Sequence, residues 1–187
     1  MKRRSALFLL IAAALLALAP ASASADPNNA AGTWELHLEV PNVAMASNGD
    51  TLAITGMGVF STHPKTVTAS GTFRHTIAGD GTLAGTWTAT DLLSFEFYGC
   101  GVVPSIGATL PPNLCGGALK MRVLFAPAGT SLTLPGIITV FCVIGPQAPP
   151  PHDNPTEPGE EGMTAVVPGI ANFNRIVSGM NVYIQTS

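Results

Sequence analysis

Between residue 26 and the end of the chain no apolar pattern recurs at i, i+3, i+4, i+7. Instead Thr, Val, Ile and aromatic residues alternate with polar ones between Gly, Pro and Asn breakers. That alternation predicts an all-β domain, with strands over approximately 32–40, 51–62, 66–78, 82–98, 118–126, 132–144, 163–167 and 176–186. Eight strands in this length suit a single antiparallel barrel, with a sandwich as the alternative.

The clearest local signal is the run 72–78, the breaker Gly79-Asp80-Gly81, and the run 82–87. A three-residue glycine-bearing loop is a common hairpin connection. Centring it on Asp80 sets Phe73 opposite Trp87, His75 opposite Gly85 and Ile77 opposite Leu83, all on one face. Thr72, Arg74, Thr76, Thr86 and Thr88 take the wetted face. Beyond Trp87 the inward set continues through Ala89, Asp91, Leu93, Phe95 and Phe97. A strand of this length is expected to bend or bulge.

The first residues change the picture of location. Lys2, Arg3 and Arg4 precede an uninterrupted Leu/Ala-rich stretch from Ala6 to Ala19, and Ala23-Ser24-Ala25 is a small-x-small cleavage site. A cleavable signal peptide is expected over 1–25, leaving one secreted domain over 26–187, periplasmic or extracellular. The apolar stretch is too short for a permanent span, and no integral membrane segment is expected later in the chain. An outer-membrane barrel is disfavoured, because aromatics are too few for two girdles and the outward faces carry Thr and charge. Cleavage would leave five basic residues against 11 acidic ones, a net charge of −6. No basic cluster offers a footprint for nucleic acid.

Three cysteines remain in a disulfide-permissive compartment. Cys100 and Cys115 have loop-like flanks and are expected to bridge. Cys142, in the apolar run 137–144, reads as a small buried hydrophobe, with pairing to one of the other two as the alternative. Residues 145–162, rich in Pro and Glu, read as an exposed, proline-stiffened loop.

Candidate chemistry is sparse. Glu35, His37 and Glu39 share one face of the first strand, a spacing that a divalent cation could use with help from another strand. It reads more simply as a solvated face, and neither a metal nor a cofactor is expected. His75 and Asp91 fall on the inward face, where a polar group must find a partner. They are too far apart along the hairpin to pair with each other. The competing readings are a satisfied core or barrel-end histidine and, for Asp91, a bulge that turns it outward or a loop position. No nucleophile elbow, zinc helix or phosphate loop is present.

Gly32-Thr33-Trp34 resembles the Gly-x-Trp opening of lipocalin-type barrels, which enclose an apolar ligand. Gly71-Thr72-Phe73, the run Gly85-Thr86-Trp87-Thr88-Ala89-Thr90, Leu92-Leu93-Ser94-Phe95 and Asn172-Phe173-Asn174 resemble a group of secreted bacterial β-barrel proteins of uncharacterised activity. The plan is also similar to barrels of allene oxide cyclase type, although no catalytic residue of that family is matched. The resulting expectation is a secreted barrel that binds a small apolar molecule. Phe73, Trp87, Phe95 and Phe97 would line the site, and His75 and Asp91 would supply its polar contacts. The alternatives are a cyclase or isomerase of a hydrophobic substrate, and a surface or matrix protein with a filled core.

Overall fold

The computed structural model describes residues 31–150 and 161–187. The signal-peptide assignment at 1–25 and the centre of the 145–162 loop lie outside the described residues. The chain is all-β. Its strands are β1 (Thr33–Met45), β2 (Thr51–Thr62), β3 (Lys65–Thr76), β4 (Thr82–Cys100), β5 (Val102–Val103), β6 (Ala108–Thr109), β7 (Leu114–Pro127), β8 (Leu134–Cys142), β9 (Gly162–Val167), β10 (Ala171–Phe173) and β11 (Arg175–Gln185). All eight expected strands are present, and the three additional ones are only two or three residues long.

Nine strands form one antiparallel sheet in the order β10-β9-β8-β7-β11-β1-β2-β3-β4, and β4 also pairs with β7. The sheet therefore curls into a partial ring. β7 pairs with β4 along its length, while its other edge is shared between β8 and a two-pair contact with β11, Tyr183 with Cys115 and Ile184 with Leu114. Alternation places Leu119, Met121, Val123 and Phe125 of β7 inside and Lys120, Arg122 and Leu124 outside. Trp34, Leu36, Phe60, Trp87, Ile138 and Tyr183 complete a continuous buried core.

The β3–β4 hairpin differs from the sequence expectation by two positions of register. Gly71 pairs with Trp87, Phe73 with Gly85 and His75 with Leu83. The loop is Ala78-Gly79-Asp80, closed by Ile77 N–H donating to Gly81 O at 3.0 Å, with Gly79 at φ 77°. Sterics explain the shift. In the expected register two bulky aromatics oppose each other, whereas here the tripeptides Gly71-Thr72-Phe73 and Gly85-Thr86-Trp87 interlock, each glycine opposite the other's aromatic. Gly56 of β2 continues the row beside Gly71. The Trp87 indole crosses β3 to lie over Gly56 and donates from Nε1 to Thr55 O at 2.9 Å.

β4 carries three irregularities, after Ala89, Leu92 and Phe97. The first leaves Thr90 unpaired between Ala89 and Asp91 and reverses the inward parity, so Leu92 rather than Leu93 is buried. The second restores Phe95 to the interior. The 145–162 loop is also corrected at its ends, which are not exposed: Gly145 and Gly162 are buried. Gly145 N–H donates to Val102 O at 2.7 Å and Gln147 N–H to Tyr98 O at 2.9 Å, strapping the loop to the end of β4.

Cys100 and Cys115 are a directly paired β4–β7 couple and form the expected disulfide. Cys142 is a free, buried thiol that donates to Asn181 O at 3.0 Å.

A methyl group on Gly71 would sit 1.8 Å from Thr55 O and 2.6 Å from Gly56 Cα. Gly71→Ala is therefore expected to cost about 3 kcal/mol or more through overpacking against backbone. Urea denaturation checks this; an unchanged midpoint would show that the β2 backbone can move away from position 71.

Candidate functional site

One end of the sheet is open, where β1 and β3 end and β2, β4 and β11 begin. A cleft of about 170 Å³ lies there. Leu52 of β2, Phe73 and His75 of β3, Ile77 beyond its end, Leu83 of β4, Phe125 of β7, Leu134 of β8, Val167 of β9, Ile170 of the following turn and Phe173 of β10 line it. Ile77, Leu83 and Ile170 form its rim and are 36%, 37% and 47% exposed.

Among the described residues the single polar lining side chain is His75. Its Nε2 donates to Asp50 Oδ2 at 3.1 Å, and its ring meets Phe173 edge-on with centroids 5.4 Å apart. Asp50 comes from the β1–β2 turn, where Gly49 at φ 90° and the bond from Ala46 N–H to Asp50 O bend the chain. Asp50 Oδ1 accepts the Ala78 N–H at 2.9 Å, so one carboxylate ties the β1–β2 turn to the β3–β4 turn. The pair is well covered, with side chains 12% and 9% exposed. The Ala78 N–H bond is the main cause holding the Asp50 carboxyl below its ordinary 3.8. Burial opposes it, and Asn48 and His75 reinforce it.

Of the sequence-derived site residues, Phe73 and His75 line this cleft. Asp91 does not. The bulge at Thr90 turns it out to solvent, half exposed, where it accepts from Thr90 Oγ1 at 2.9 Å and pairs with Arg122 at 3.4 Å. Trp87, Phe95 and Phe97 are not among the lining residues either. Trp87 occupies the glycine lane, while Phe95 and Phe97 pack against Trp34 at centroid distances of 5.0 and 6.0 Å at the opposite end. They belong to the filled interior because their strand positions face a core already occupied by Trp34, Phe60 and Tyr183.

Asp50 was missed by sequence reasoning, which assigned no role to the segment between the first two strands. The available signal was that inward-facing His75 required a partner from another strand. Glu35 and His37 form a half-exposed pair at 3.1 Å on the outer face, with Glu39 exposed beside them. Among the described residues no group of three or more His, Cys, Asp or Glu side chains converges on a metal-sized site.

A second polar cluster spans the seam between β11 and the β8–β9 pair. Asn181 Nδ2 contacts Asn42 Oδ1, Phe141 O and Gly162 O at 2.9, 2.9 and 3.0 Å, and Tyr183 donates its hydroxyl to Val140 O at 2.9 Å. Glu161 accepts the Asn181 backbone N–H. Burial pushes the Glu161 carboxyl above its ordinary 4.5 and the Cys142 thiol up to about 12.

No protein-family model, curated protein or solved structure matches this chain. What the open-end cleft can do follows from its own geometry, an apolar hollow with one partly buried, carboxylate-held imidazole.

Asp50 and Glu161 should move stability in opposite directions with pH. The folded chain favours ionised Asp50, a contribution present above pH 3.8 and lost as pH falls below it. It favours protonated Glu161, so that contribution is present below pH 4.5 and lost as pH rises through the elevated folded value. Glu161→Gln, which keeps an acceptor for Asn181, is expected to raise the denaturation midpoint at neutral pH, with the gain vanishing in acid. Asp50→Asn is expected to lower it at neutral pH, with the loss shrinking in acid. Urea midpoints followed across acid to neutral pH check both.

Proposed function

We propose that this protein binds a small apolar molecule at the open end of its partial barrel, seating a ring-sized or short branched portion of it in the cleft. The observation that carries this reading is the cleft itself, about 170 Å³, with nine apolar side chains and His75 around it. Apolar cavities of about 150 Å³ stay dry and accept a benzene-sized guest. The exposed apolar rim of Ile77, Leu83 and Ile170 lets a larger molecule extend outward. Titration with six- to eight-carbon ring compounds, toluene among them, is expected to shift NMR signals of Leu83, Ile170 and His75 saturably, with Kd of about 0.1–1 mM. Leu83→Trp, which fills the hollow from its rim, should abolish the shifts. No shift with any member of the panel would overturn the reading.

The filled interior supports a second reading, a surface or matrix protein acting through its outer faces. That reading expects self-association in the ultracentrifuge together with an unresponsive cleft.

The export reading rests on residues 1–25, and the Cys100–Cys115 disulfide is compatible with it. Protein recovered from outside the cytoplasm should have an intact mass that begins at Asp26. A mass that includes Met1 would overturn it.

A further inference from the structure

A wholly apolar hollow would accept hydrocarbons without regard to their head groups. This one contains an imidazole, and the imidazole has a fixed electrostatic companion. Asp50 is held from two sides, by the Ala78 N–H at 2.9 Å and by His75 at 3.1 Å. With the carboxylate ionised, the pair carries a charge of −1 when the imidazole is neutral and 0 when it is protonated. In neither state is it positive. The cations of this end of the sheet, Arg74 on the outer face of β3 and Arg175 at the start of β11, are exposed and do not line the cleft. Asp80, in the β3–β4 loop, is also exposed.

Resting on the binding reading above, we infer that the cleft selects neutral apolar molecules bearing one hydroxyl, an alcohol or phenol, over carboxylates such as fatty-acid anions. His75 is the specificity determinant and Asp50 the residue that positions it. A hydrocarbon that covers His75 removes water from a polar group and returns no bond, whereas a hydroxyl head restores one. A carboxylate brings a second negative charge beside Asp50 into a site that no cation lines among the described residues.

The test is a matched set of seven-carbon probes, toluene, benzyl alcohol and benzoate, titrated into the full mature chain at neutral pH and followed by NMR at His75 and Leu83. The expected order places benzyl alcohol about five- to tenfold tighter than toluene, and benzoate about tenfold or more weaker than benzyl alcohol. His75→Phe should bind toluene and lose the preference for the alcohol. Asp50→Asn, which leaves the pair neutral or positive, should bring benzoate up towards benzyl alcohol. The wild-type ratios decide the matter even if either variant fails to fold. Equal binding of toluene and benzyl alcohol, or benzoate binding best, overturns this selectivity and leaves apolar binding standing. Absence of binding by all three overturns the binding reading itself.

Discussion

The indole of Trp87 reaches across β3 to the backbone of β2, and the glycines of the sheet are placed to allow it. A side chain of this size cannot cross β3 unless the strand beneath it lacks Cβ atoms, and Gly71 and Gly56 supply two adjacent gaps in one cross-strand row. Phe125 continues the row on the other side of Trp87. Glycines that relieve crowding also let a sheet bend sharply, which is one way a ring this small accommodates large interior aromatics. The same device recurs where Phe73 lies over Gly85, Phe95 over Gly117 and Phe125 over Gly136. Threonine between glycine and aromatic keeps the outer face wetted and the strand extended.

Curling creates a second constraint at the seam. β11 leaves β7 after two residue pairs, and from there the β8 and β9 carbonyls that face β11 have side chains rather than a continuous ladder as partners. Asn181 and Tyr183 supply those partners, with Glu161 taking the Asn181 N–H. The members of this cluster come from separate parts of the chain: Cys142 ends β8, Glu161 precedes β9, and Asn181 sits in β11. Its buried polar atoms specify which strands meet, since a displaced β11 would strand several carbonyls in an apolar interior.

Strand existence was legible because period-two alternation is a local property, and every expected strand formed. Register was less so. Pairing Phe73 with Trp87 followed from placing Asp80 at the centre of the loop, whereas the interlock of Gly71 with Trp87 and Phe73 with Gly85 depends on side-chain volumes across strands. Asp91 shows the same limit: alternation carried it inward, and a single unpaired residue, Thr90, reversed the parity. The strand's length announced a bulge, and a bulge that turns Asp91 outward was the competing reading, but nothing in the alternation located it at Thr90. His75 was legible as an inward polar group in need of a partner, but Asp50 was not, because their 25-residue separation is bridged only when two turns come together at the same end.

The two ends of the partial barrel are built differently, and this asymmetry argues where a ligand belongs. At one end Trp34 stacks on Phe60, Phe95 and Tyr183 fill the space beneath, the Cys100–Cys115 disulfide joins β4 to β7, and the chain end is tied to Thr33 by backbone hydrogen bonds. Entry there would require unpacking aromatics in mutual contact and separating covalently linked strands. At the other end the strands finish in short turns, and the carboxylate that ties two of those turns together also holds the one polar group lining the cleft. The rim there is apolar and partly exposed, and Asp50 keeps the imidazole in place. A closed end packed with aromatics, an apolar hollow at the free end and an imidazole held by Asp50 are what favour the open end in the binding reading proposed above.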